Sequence, residues 1–254
     1  MPALAFGFFL TALLYASVGF GGGSTYNALL VLAGADYRIL PSVALLCNVI
    51  VVAGGVFRFA RAGALPWRRL APWIAASIPA AWAGGRIPVS ETVFVGLLGA
   101  ALALSGLRLL LQRSPANPAE APGANPMALA IAAGAAIGFL SGIVGIGGGI
   151  FLAPILYFLR WDKPRSIAGA CSLFILLNSL SGLAGQLMKL GDSSLLSAFA
   201  EYWPLFPAVL VGGQIGSALG AMKLDETWLR RLTAALILYV AARLLLRWHS
   251  LVTS

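Results

Sequence analysis

The sequence predicts an all-α, polytopic integral membrane protein of two inverted repeats, each a glycine-broken helical hairpin followed by three transmembrane helices. Three observations carry this. First, of 254 residues 60% are hydrophobic and 10% charged, where a soluble domain carries about 25% charged residues; the excess apolar surface has to face lipid. Second, the apolar residues fall in continuous runs, not in the alternation of a membrane β-barrel. Third, the chain repeats itself across a proline-containing linker.

The runs are taken in chain order. A crossing helix needs ~20 apolar residues, fewer where it is partly buried in protein. Residues 2–18, 39–57, 70–85, 92–107, 127–144, 166–185, 202–222 and 227–246 meet this description. Two shorter runs, 24–35 and 150–159, each follow a glycine cluster. The first basic residue is Arg38, so the N-terminal run lacks the basic start of a cleaved signal and is expected to remain in the protein. Residues 1–112 form the first repeat, 113–126 an exposed linker and 127–254 the second repeat.

The repeat is ordered. Gly19-Phe20-Gly21-Gly22-Gly23 recurs as Gly145-Ile146-Gly147-Gly148-Gly149, and Asp36 as Asp162, both at an offset of 126. Further on the offset becomes 135, matching Pro72 to Pro207, Gly85 to Gly220 and Glu91-Thr92 to Glu226-Thr227. Charge decides the relative orientation of the halves. With both halves facing the same way, basic residues divide 9 to 8 between the two sides; with the halves inverted they divide 12 to 5. The excess of Lys and Arg in cytoplasmic loops therefore favours inversion, with loops 58–69, 108–113, 160–165 and 223–231 inside. Arg243 and Arg247 then lie outside, against the trend. An inverted repeat needs an odd number of crossings per half, so each broken pair enters and leaves on one side.

Three successive glycines oppose continuous helix by ~1 kcal/mol each relative to alanine. Where the helix restarts, amides at Gly22, Gly23, Ser24 and Thr25 lack intrahelical acceptors and sit at the positive end of the helix dipole. The same holds around Gly147, Gly148, Gly149 and Ile150. Gly21–Thr25 and Gly147–Ile150 are thus candidate anion-binding backbone, as in transporters whose broken helices meet at the midplane. The alternative is that the glycines form a packing seam. Valine at Gly22 or Gly148 is expected to block a ligand while leaving the chain folded. Asn48, Asn178, Gln186 and Gln214 are equipped to hydrogen-bond either a substrate's oxygens or neighbouring helices. Asn48, Asn178 and Gln214 join the candidate substrate-binding set.

The function classes left are narrow. None of the eight acidic residues falls in the middle of a span, where a proton relay would hold one. With one histidine near the C-terminus, no metal-ligand set and no nucleophile–base pair, neither catalytic residues nor a metal is expected. Cys47 and Cys171 lie in apolar runs and predict no disulfide. No nucleotide fingerprint or P-loop is present, no cofactor is expected, and the net charge of +9 reflects membrane topology, not nucleic acid. The predicted partners are a small anion and the lipid bilayer.

Gly142-Ile143-Val144-Gly145-Ile146-Gly147-Gly148-Gly149 followed by Pro154, with Gly19-Phe20-Gly21-Gly22-Gly23 before it, resembles the TauE/SafE sulfite exporter family over nearly the whole chain. Ser24-Thr25-Tyr26 is more polar than that family's pattern at this point. The resemblance implies a multi-pass protein of the bacterial inner membrane exporting small anions, commonly sulfite or organosulfonates. A carrier of another organic acid, or a structural subunit of a membrane complex, is the alternative.

Overall fold

A computed structural model describes residues 1–17, 19–111, 126–190, 199–221 and 226–253. The proposed linker lies almost entirely outside the described residues. Among these, regular structure is helical throughout. The first half contributes α1 (Pro2–Ser17), α2 (Gly23–Leu32), α3 (Leu40–Arg61), α4 (Trp67–Arg86) and α5 (Glu91–Leu111). The second contributes α6 (Met127–Val144), α7 (Gly149–Phe158), α8 (Pro164–Leu190), α9 (Leu205–Ala221) and α10 (Glu226–Thr253). Each apolar run has become one helix, and the short runs after the glycines are α2 and α7. By length and composition α3, α6 and most of α8 are able to cross a membrane on their own.

α2 and α7 have 10 residues each, about 15 Å of helix against a hydrocarbon core of ~30 Å. Neither spans alone. α2 instead folds back along α1. The Tyr15 and Thr25 hydroxyls meet at 2.8 Å, and Phe8 stacks on Tyr26 with ring centroids 4.7 Å apart.

The halves are interleaved, and close backbone approach sets the pairing. α6 presents Gly134, Gly138 and Gly142 to the carbonyls of Trp73, Ser77 and Ala81 on α4, so the two helices run parallel. The matching seam joins α9 to α1, where Gly212 and Gly216 lie on the carbonyls of Phe9 and Leu13, again in parallel. A side chain at Gly134 would put its Cβ 2.5 Å from the Trp73 oxygen, too close to be absorbed without helix displacement. In both seams the small residues belong to the second half, on its first helix in one and on its fourth helix in the other. Between the seams, α3 and α8 run antiparallel: Gly182 faces Leu45, Gly55 faces Ser172 and Gly169 faces Phe59. α5 and α10 also run antiparallel, Gly96 meeting Trp248 and Gly99 meeting Leu245.

Among the described residues, an ion pair lies at each end of the bundle. On the face where α3 ends, Arg69 lies 3.5 Å from Asp162 and its guanidinium covers the Trp161 ring at 4.8 Å. On the other face, Arg247 reaches Glu91 at 2.8 Å and donates to the Val31 carbonyl at 2.7 Å. That carbonyl belongs to the last turn of α2, the negative end of the helix dipole, which attracts a cation. The arginine that runs against the charge trend thus has a structural partner.

Candidate functional site

The two glycine breaks meet in the interior, and α3 supplies the residue between them. Gly22, at φ 91°, and Gly148, at φ 80°, start α2 and α7 from the left-handed region. Glycine adopts that conformation without the steric cost a Cβ imposes. Asn48 lies against Gly21, Gly23 and Gly147, and a Cβ at Gly23 would sit 2.9 Å from the Gly145 carbonyl. Asn48 donates to the Ile146 carbonyl at 3.1 Å. Asn27, one turn into α2, donates to the Val144 carbonyl at 2.7 Å and the Gly145 carbonyl at 3.3 Å. First-half side-chain amides therefore hold the carbonyls that the second-half break leaves without backbone partners.

The amides of Gly21, Gly22, Gly23 and Ser24 make no hydrogen bond to another described residue, nor do those of Gly147, Gly148, Gly149 and Ile150. Thr25 departs from the sequence expectation. Its amide bonds the Gly22 carbonyl at 3.0 Å because the first turn of α2 is tightened to an i→i+3 bond. Phe151 does the same to Gly148 at 3.1 Å. The Thr25 hydroxyl is committed to Tyr15.

The junction is buried: Asn48, Thr25 and Ser179 are 0% exposed and Ser24 3%. Asn48 Oδ1 and Ser179 Oγ have no hydrogen-bond partner, and an orphaned polar atom at such depth costs ~1–3 kcal/mol. Ser179 Oγ lies 3.0 Å from where a Gly147 Cβ would stand. Two positive helix ends, unpartnered amides and unpartnered side-chain oxygens thus converge, with Ile175 of α8 as the apolar wall beside Gly21 and Gly149.

The other two candidates sit elsewhere. Asn178 donates to Ser77 Oγ at 3.0 Å and the Phe174 carbonyl at 2.8 Å, tying α8 to α4. Gln214, on α9, accepts from Arg58 at 2.8 Å. Gln186 donates to the Gly142 carbonyl at 2.8 Å. Ser179 was missed by sequence reasoning; a lone serine in an apolar run gives no signal. Among the described residues no group of His, Cys, Asp and Glu is arranged to hold a metal.

Valine at Gly22 or Gly148 does more than block a ligand. Besides the positive φ, a Cβ at Gly148 would stand 2.8 Å from Ile137 and 2.9 Å from Phe174. The expectation that such variants keep an unperturbed fold is corrected accordingly.

An all-helical bundle with paired broken helices meeting inside it defines the class: a polytopic membrane transporter. The family follows from comparison. A family model described as "Sulfite exporter TauE/SafE" matches residues 3–244, and the chain belongs to that family. It is 34% identical over 244 residues, 95% of this chain and 97% of the relative, to "Probable membrane transporter protein y4hK" of Sinorhizobium fredii (strain NBRC 101917 / NGR234). It is 33% identical over 103 residues, 40% of this chain and 36% of the relative, to "Probable membrane transporter protein YunE" of Bacillus subtilis (strain 168). No solved structure matches.

Proposed function

We propose that the protein exports small oxyanions, of the sulfite or organosulfonate kind, across a bacterial inner membrane. The supporting observation is the convergence of α2 and α7 on Asn48. Each helix N-terminus carries roughly half a positive charge, and the amides at residues 21–24 and 147–150 have no described partner. Their field favours an anion, and neutral dipoles release it without a proton transfer. The second Nδ2–H of Asn48 and the hydroxyl of Ser179 supply side-chain donors. Since Asn48 fills the space between the turns, entry of the anion requires α2 or α7 to separate from α3.

The repeats are read as residues 1–112 and 127–254, joined by 113–126 and inverted in the membrane. The antiparallel courses of α3 against α8 and α5 against α10 support inversion, as does the 12 to 5 division of basic residues. The face bearing Arg58, Arg69 and Asp162 is then cytoplasmic.

The test is flux into proteoliposomes with a panel of sulfite, sulfoacetate, sulfate and acetate. Saturable movement of the sulfur oxyanions is expected. Preference for acetate would make it a carrier of carboxylic acids, and no flux of any anion would reject transport by this chain alone.

A further inference from the structure

Beyond the glycine junction, one opening combines charge with room. A cavity of about 640 Å³ at the C-terminal end of α3 is lined by Gly54, Phe57, Arg58, Arg61, Ala62 and Gln214. Two of these six are cations and none is a carboxylate. Arg58 is clamped: Nη2 donates to Gln214 Oε1 at 2.8 Å and Nη1 donates to Ser217 Oγ. The Ser217 hydroxyl in turn donates to the Gly213 carbonyl at 2.7 Å. A guanidinium has more N–H donors than these two bonds use. Its plane is fixed by α9 and its other donors stay available. Arg61 lies over the Phe57 ring at 5.4 Å. Gly54 makes the inner wall, since a side chain there would collide with Gln214 Nε2 at 2.5 Å.

Place and asymmetry give this cavity a meaning. Gly54 is six residues from Asn48 along α3, about 9 Å of helix rise, so the cavity opens on the same helix that carries Asn48 to the glycine junction. At the repeat offset of 135, Gln214 and Ser217 correspond to Pro79 and Trp82. Neither of those accepts from an arginine as an amide or hydroxyl does, so the duplicated architecture lacks this clamp in its other copy. A dry binding site for a four- or five-atom oxyanion would be far smaller than this cavity. The room suits a hydrated ion drawn in by charge before it is stripped of water.

We propose that this cavity is the loading vestibule of the transporter, in which Arg58, held by Gln214 and Ser217, together with Arg61 docks a small oxyanion on its way to the glycine turns. The inference rests on the anion-transport reading and adds to it the residues that capture the substrate. A lipid headgroup phosphate offers the same chemistry, and the experiment separates the two.

Purified full-length protein is reconstituted in phosphatidylcholine liposomes, with and without phosphatidylglycerol, and Vmax/KM for sulfite is measured over a range of ionic strength. Arg58→Gln is expected to lower Vmax/KM tenfold or more in both lipid mixtures, with Arg58→Lys recovering to within threefold of wild type. Arg61→Gln breaks no helix–helix tie; it is expected to lower Vmax/KM at least threefold with an unchanged unfolding temperature. Both glutamine variants should flatten the fall of Vmax/KM with added salt, since that fall reflects screened attraction. Wild-type flux with both glutamine variants unchanged overturns the inference alone. An effect confined to phosphatidylglycerol assigns the arginines to lipid and also overturns it. A wild-type protein that moves no oxyanion overturns the transport reading and this one together.

Discussion

The Asn48 side-chain amide, on α3 of the first half, donates to the Ile146 carbonyl in the broken hairpin of the second half at 3.1 Å, 98 residues away in sequence. A break in a helix leaves carbonyls without amide partners, and at membrane depth such groups must be satisfied by protein. Asn48 and Asn27 do this for residues 144–146. The junction is therefore jointly owned by the two halves, and a change there registers in both.

Asn48→Ala is expected to abolish saturable anion flux and to lower stability by about 1–3 kcal/mol, the cost of a buried carbonyl left without its donor. Asn178→Ala removes a tie between α8 and α4 of similar worth, and should lower the unfolding temperature while leaving the KM for sulfite within twofold. Thermal unfolding in detergent and flux in liposomes, on both variants, separate the roles. Loss of substrate affinity in Asn178→Ala and not in Asn48→Ala would move the site to the α4–α8 contact.

Glycine positions along the breaks are not equivalent. Gly148→Val combines a left-handed φ, unfavourable to a side chain by ~1–2 kcal/mol, with overpacking worth ~1–3 kcal/mol. A large drop in unfolding temperature and in yield of inserted protein is expected. Gly55→Ala is the control, since its Cβ would meet Ser172 Oγ at an ordinary 3.8 Å; it should transport and unfold like wild type. Size-exclusion profiles with thermal unfolding of the two variants check the contrast. Equal behaviour would show that the turn tolerates side chains.

Much of the architecture is legible in the sequence because lipid demands long apolar runs and triple glycine ends a helix almost regardless of context. α2 and α7 follow the glycines for that reason, and the left-handed φ recurs at Gly19 and Gly145 and at Gly22 and Gly148. Partner choice is not legible. Nothing local in the Gly134, Gly138, Gly142 series tells that its partner is α4 and not α3, because a small face fits any close backbone. Nor does an apolar run announce that Gln214 answers Arg58 from 156 residues away. Asn48 and Asn178 looked alike on polarity alone. What separates them is which backbone each faces, a consequence of pairing across the halves.

Loops 58–69 and 160–165 are expected on one side of the membrane, the cytoplasmic side. Arg69 and Asp162 are 3.5 Å apart, so the two segments are neighbours at one end of the bundle. Single cysteines at Ala62 and Lys163, both exposed, are placed in a chain whose buried Cys47 and Cys171 are replaced by alanine. An impermeant thiol reagent should reach both only after the cytoplasmic face is opened, whereas a cysteine at Arg38 should react in intact cells. Labelling of Ala62→Cys and Lys163→Cys from opposite sides would end the inverted arrangement.

The last prediction concerns what drives the anion. Among the described residues, Asp36, Asp162 and Glu201 lie outside the long helices, and Glu91 and Glu226 are the first residues of α5 and α10. No carboxylate with a described side chain stands beside the glycine junction, so none of those is placed to exchange a proton for each anion moved. The site's positive potential comes from helix dipoles, which do not titrate. A monoanion leaving a cell that is negative inside gains ~2.3 kcal/mol per 100 mV. At ~1.4 kcal/mol per tenfold, this sustains roughly fifty-fold outward accumulation. Export is therefore expected to follow membrane potential and substrate gradient, without an obligatory proton on the protein. In liposomes with potential and pH gradient set independently by ionophores, imposing 100 mV should shift the equilibrium distribution of sulfite by roughly fifty-fold per unit charge. An equal shift produced by the pH gradient at zero potential, beyond that caused by protonation of sulfite itself, would replace this account with proton antiport.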